Sequence, residues 1–113
     1  MTTTPLALTM GDACGIGPEI VAAAFVRGAL PGGFVLGDVA VLRRAAALVA
    51  ARERVDLPVA VIGSAADALA MPPRCVPVLP VVGLPEGLAA LPGGALDARA
   101  GAAAAACIRA AVR

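Results

Sequence analysis

The sequence predicts an α/β fold in which a parallel sheet is covered by helices. Short apolar segments alternate with helical segments, and turns rich in Gly, Pro and Asp separate them. Such alternation is typical of parallel βα units. Hydrophobic residues make up 60% of the chain and charged residues only 15%, which excludes a disordered polypeptide. The 113 residues suffice for one small domain or for part of a larger one.

The first two elements flank a glycine-rich loop. Residues 5–10 (PLALTM) are apolar in succession, which predicts a strand that is covered on both faces. Pro18 is favoured at the first position of a helix, and we expect this helix from residue 19 to about residue 27. Its spacing places Ile20 and Phe25 on the packed side.

The next unit repeats this order of strand and helix. Residues 34–36 predict a second strand, parallel to the first, and Asp38 predicts the N-cap of a helix that runs to about residue 54. Arg43 and Arg44 are expected on the solvated face of this helix. Its apolar stripe comprises Leu42, Ala45, Ala46, Val49 and Ala50.

The remaining elements are shorter, except for the last. Residues 58–62 (PVAVI) predict a third strand, and residues 65–70 a single helical turn. Residues 75–82 predict one interrupted strand, which its prolines assign to a sheet edge or to an irregular segment. Asp97 predicts the cap of an alanine-rich helix from residue 98 to about residue 112.

Composition excludes several kinds of function. Nine Arg against eight acidic residues, with two Phe and no Tyr or Trp, argue against nucleic-acid binding. No apolar run approaches the ~18–20 residues of a membrane span, so we expect a cytoplasmic protein. Without His or Lys, the sequence offers neither a catalytic base of the usual kind nor a metal site. The cysteines Cys14, Cys75 and Cys107 are expected to be reduced and buried.

The segment that carries chemical information is residues 9–20 (TMGDACGIGPEI). Here a predicted strand is followed by a loop with three glycines, and a helix begins at the end of this loop. The free N–H groups at a helix N-terminus favour binding of an anion. The spacing G-x-x-x-G-x-G matches neither the dinucleotide fingerprint nor a P-loop. A structural turn and a binding site for a phosphate or cofactor edge therefore both remain open.

This segment resembles the N-terminal signature of the 4-hydroxythreonine-4-phosphate dehydrogenases, T-x-G-D/E-P-A-G-I-G-P-E. Ala13 and Cys14 replace the usual Pro-Ala pair. Weaker matches follow in the same order, in residues 35–42 and 92–111. The residues that match the signature are Gly11, Asp12, Gly15, Ile16, Gly17, Pro18 and Glu19.

The resemblance implies that residues 1–113 form the N-terminal α/β segment of a dehydrogenase roughly three times as long. Its α/β/α fold would be similar to that of isocitrate and isopropylmalate dehydrogenases. The cofactors would be NAD and a divalent metal (Zn, Mg or Co) whose ligands lie outside this chain, and the full-length enzyme would be a homodimer. Gly11, Asp12, Gly15 and Gly17 would line the cofactor cleft.

The implied reaction is oxidation of 4-phosphohydroxy-L-threonine, a small phosphorylated substrate, in pyridoxal phosphate (pyridoxine) biosynthesis. Two alternatives stay open: a related dehydrogenase of aromatic-acid cis-dihydrodiols, and a non-catalytic α/β fragment or interaction module. Because this sequence has no His and no Lys, we expect the isolated chain to be inactive.

Overall fold

A computed structural model of the chain describes residues 5–72, 74–92, 94 and 97–112. Strands and helices alternate along it, and two 3-10 turns cover Ala65–Ala70 and Leu88–Ala90. The strands are β1 (Leu6–Thr9), β2 (Gly33–Gly37), β3 (Val59–Val61) and β4 (Val76–Pro80). The helices are α1 (Gly17–Val26), α2 (Val39–Glu53) and α3 (Ala98–Ala111).

The four strands form one parallel sheet in the order β1-β2-β4-β3. Leu6 pairs with Gly33 and Thr9 with Leu36, so the first two strands are parallel as predicted. The predicted α/β class is confirmed. Within the described ranges, no helix combines the length and the apolar character that crossing a bilayer requires.

The first strand is less covered than its sequence predicts. In the described part of the chain β1 forms one edge of the sheet, and Leu6 is 51% exposed. The expectation that residues 5–10 are covered on both faces is therefore wrong. An apolar run shows that a segment tolerates burial, but it does not show which neighbours the fold supplies.

The proline-containing strand β4 lies inside the sheet, between β2 and β3, and not at an edge as predicted. The Val76 N–H donates toward β3, to the Pro58 carbonyl, so the Pro77 nitrogen faces β2. Pairing with β2 begins only at Val78. Pairing with β3 has already ended at Pro80. Neither proline therefore removes a hydrogen bond from the ladder that its nitrogen faces.

Both faces of the sheet contribute to the core. Val35 packs on one face in the main cluster with Phe25 and Leu42. Phe34 and Leu36 point to the other face and pack with residues that include Ala68.

Helix α1 packs on α2, and the prediction of its packed side is confirmed for Phe25 but not for Ile20. Its buried residues are Pro18, Ala22 and Phe25. Ile20, predicted to be packed, is instead 59% exposed.

Helix capping follows the sequence closely. The Asp38 carboxylate accepts a hydrogen bond from the Val41 N–H at 3.0 Å, and that of Asp97 accepts one from the Arg99 N–H at 2.8 Å. Side-chain hydrogen bonds from Arg99 also lower the pKa of Asp97. Both predicted N-caps are confirmed.

Replacing Gly101 by alanine is expected to raise the free energy of unfolding by about 0.5–1 kcal/mol, because glycine is unfavourable inside a helix. Apart from its own helix, nothing in the described chain lies within 4 Å of the position that the new Cβ would take. Urea denaturation of both proteins measures the change. A lower midpoint for the variant would contradict this expectation.

Candidate functional site

The glycine loop, residues 10–17, lies at the carboxyl edge of the sheet. It follows β1, and its first residue is held beside the end of β2, since the Met10 N–H donates to the Leu36 carbonyl at 3.2 Å. Met10 is fully buried. Asp38 follows β2 at the same edge. In open α/β sheets, ligands bind outside the carboxyl ends of the strands.

Asp12 stabilises the turn of the loop by accepting hydrogen bonds from the backbone of the residues that follow it. Its carboxylate accepts a hydrogen bond from the Cys14 N–H at 2.8 Å, and its carbonyl accepts one from the Gly15 N–H at 3.0 Å. An Asp that bonds two residues ahead in this way forms an Asx turn. The structure therefore gives Asp12 a defined role in the turn.

The three glycines of the loop differ in what they contribute. Gly11 has a φ of +75°, a backbone conformation that residues other than glycine rarely adopt. A Cβ on Gly17 would lie 3.0 Å from the Met10 carbonyl oxygen. A Cβ on Gly15 would meet only ordinary contacts, at 3.5 and 3.6 Å from atoms of Asp12, and Gly15 is exposed. The fold thus requires glycine at positions 11 and 17, whereas position 15 has space for a methyl group.

The acidic residue in the first turn of α1 is directed toward α2. The Glu19 carboxylate lies 3.5 Å from the guanidinium of Arg52. Both side chains are substantially exposed, so this ion pair adds little to stability. It does hold the negative charge of Glu19 beside Arg52.

Arg44 is the residue at this site that the sequence analysis missed. Expected on a solvated face, it is partly buried and donates to the carbonyls of Ala13 at 2.6 Å, Ala89 at 2.5 Å and Leu91 at 3.3 Å. One feature of the sequence could have indicated its partial burial. Arg44 lies three residues after Val41 and therefore at the border of the apolar stripe of the helix.

A second connection runs between the same two parts of the chain. The Gly94 N–H donates to the Cys14 carbonyl at 2.6 Å. The glycine loop is thus joined to the turn around Leu88–Leu91 and to Gly94 by both a side chain and the backbone. Leu88 is itself buried in the main core cluster.

The three cysteines are free and buried, as predicted. Burial raises the pKa of the Cys75 and Cys107 thiols. These two side chains are therefore protonated at neutral pH and serve as small packing groups.

No group of three or more His, Cys, Asp or Glu side chains comes together within residues 5–72, 74–92, 94 and 97–112. The described residues therefore do not fit a divalent metal. The sequence analysis assigned the metal ligands to residues outside this chain, and that assignment stays a prediction.

The fold of this chain is similar to that of two solved dehydrogenases. One is a 4-hydroxythreonine-4-phosphate dehydrogenase from Burkholderia phymatum, with a TM-score of 0.77 and 30% identity over 98% of this chain and 32% of that one. Another, from Salmonella typhimurium and assigned the same activity, gives a TM-score of 0.72 and 32% identity over 97% and 33%.

These likenesses confirm the predicted resemblance to the 4-hydroxythreonine-4-phosphate dehydrogenases. The chain spans about a third of the length of the two enzymes, 32% and 33%. No family model matches the chain, and no curated protein does.

Proposed function

We propose that the chain is the N-terminal segment of an NAD-dependent and divalent-metal-dependent dehydrogenase that oxidises 4-phosphohydroxy-L-threonine. The likeness to two dehydrogenases over nearly the whole chain supports this proposal. The full-length protein would act as a cytoplasmic homodimer in pyridoxal phosphate biosynthesis. Residues outside this chain would hold the metal and the phosphate of the substrate.

The observation that carries the cofactor assignment is the environment of Gly15. The loop folds without needing glycine there, because φ is not in the left-handed region and a Cβ would fit. A glycine that the fold does not require, exposed at the carboxyl edge of a parallel sheet, is suited to close approach by a ligand. Gly11, Asp12 and Gly17 would support the same surface by fixing the path of the loop.

In this proposal the chain binds and orients the cofactor. Gly15 would let the edge of NAD approach the backbone, and α1, whose first turn has N–H groups without partners inside the helix, begins two residues later. NAD, when bound, supplies the acceptor for the hydride that leaves the substrate. Asp12 holds the loop in the shape that leaves this surface open.

Gly15→Ala in the full-length protein tests the cofactor assignment. We expect NAD affinity to fall about tenfold, the equivalent of 1.4 kcal/mol, because the new methyl group stands where the cofactor approaches. The denaturation midpoint should stay unchanged, since the methyl group fits within the free chain. Titration calorimetry and urea denaturation measure the two quantities on one protein sample.

Gly101→Ala is the matched control, because it adds the same methyl group on α3. It should leave NAD affinity unaltered. Unchanged affinity in the Gly15→Ala protein would remove Gly15, and with it the loop, from the proposed cofactor surface.

The substrate is tested by a separate assay. The full-length protein with NAD and Mg²⁺, Zn²⁺ or Co²⁺ should oxidise 4-phosphohydroxy-L-threonine. Turnover of an aromatic-acid cis-dihydrodiol in its place would assign the protein to the related activity.

A further inference from the structure

We propose that Arg44 is a positioning residue that fixes the glycine loop in its binding conformation by joining it to the turn around Leu88–Leu91. The consequence for the cofactor rests on the proposed function above. The joining itself is a property of the chain and is tested independently of NAD.

The geometry of the guanidinium supports this role. One amino group, Nη2, donates to the Ala13 carbonyl in the glycine loop. The other, Nη1, donates to the carbonyls of Ala89 and Leu91 in the turn around Leu88–Leu91. The two halves of one planar group therefore contact two segments that are far apart in sequence. Because α2 carries this group, the helix sets the distance between the segments.

Arginine is suited to this task in a way that lysine is not. Its planar fork offers several N–H donors in fixed directions, whereas an ammonium group is a compact point charge. A lysine at position 44 would reach one of the two segments and release the other. The neighbouring Arg43 is exposed and has no such role in the described structure, so it provides a matched control.

The contacts lie where water has little access. Ala13 is fully buried, Leu91 is 8% exposed and Ala89 is half-buried. Carbonyl groups in such surroundings need a donor from the protein. Removing the guanidinium therefore favours a displaced loop, in which the Ala13 carbonyl turns to solvent.

Cys14 reports directly on such a displacement. It follows Ala13 in the chain, is only 3% exposed, and its carbonyl accepts the hydrogen bond from Gly94. Release of the loop would expose this thiol while Cys75 and Cys107 stayed in the core. Global unfolding, in contrast, would expose all three thiols together.

The experiment is iodoacetamide labelling of the full-length protein, with each cysteine followed by mass spectrometry. In Arg44→Lys and Arg44→Ala we expect Cys14 to react about tenfold faster or more, with Cys75 and Cys107 unchanged. Arg43→Ala should match the unsubstituted protein. An unaltered Cys14 rate in both Arg44 variants, or an equal rise at all three cysteines in both, would overturn the proposal.

NAD kinetics on the same variants test the link to the cofactor. A positioning role predicts a several-fold rise in KM for NAD with kcat little changed, and a smaller effect for Arg44→Lys than for Arg44→Ala. If Cys14 is released but KM is unaltered, Arg44 does not position the cofactor. If the unsubstituted protein binds no NAD, the proposed function fails, while the labelling result still decides whether Arg44 joins the two segments.

Discussion

Replacing Leu42 by alanine is expected to lower the free energy of unfolding by about 2–5 kcal/mol, the range for deleting a fully buried leucine side chain. Leu42 is completely buried on α2, in the cluster that contains Val35 of the sheet and Phe25 of α1. Truncation would leave a cavity at the junction of three elements. Urea denaturation followed by circular dichroism measures the loss.

Leu48→Ala is the control for this change, because it makes the same truncation on the same helix. Leu48 is 50% exposed, so it should lose less than about 1 kcal/mol. Equal losses at the two positions would mean that α2 does not present the observed face to the sheet.

Replacing Gly17 by alanine is expected to lower the free energy of unfolding by about 1–3 kcal/mol, as overpacking typically does. The new Cβ would lie 3.0 Å from the Met10 carbonyl oxygen, a backbone atom that cannot rotate away. Met10 is itself fixed, because it is fully buried and its N–H is bonded to β2. The start of α1 would have to shift away from β1.

Gly101→Ala is the control for this substitution. Both substitutions add one methyl group to a helix, yet the expected changes in stability have opposite signs. If Gly17→Ala were neutral or stabilising, the close approach of α1 to the end of β1 would be disproved.

Local chemistry made much of the fold predictable. Asp38 and Asp97 cap helices because their carboxylates accept N–H groups in the first turn, and this preference is visible in one sequence. Parallel pairing of the first two strands followed from the helix between them.

The wrong predictions, for β1 and β4, concerned contacts between segments that are distant in sequence. Whether β1 lies at an edge, or Pro77 inside a sheet, depends on which strands pair, and a single segment does not contain that information. Proline is tolerated in β4 because of where each ladder begins and ends.

At the candidate site, too, the sequence predicted local features but not the contacts between distant segments. Sequence identified the glycines but did not separate Gly11 and Gly17, which the fold needs, from Gly15, which it does not. Arg44 was missed because its three acceptors are backbone carbonyls, which leave no trace in the pattern of side chains.

The position of β1 has a consequence for how stability is measured. Its outer edge, in the described part of the chain, is a four-residue strand that has no charged side chain and no internal proline, two of the usual means of preventing association between sheets. Where such edges pair between molecules, unfolding is coupled to self-association and the midpoints depend on protein concentration by mass action. Variants therefore have to be compared at equal, low concentration, where one molecule unfolds independently of another.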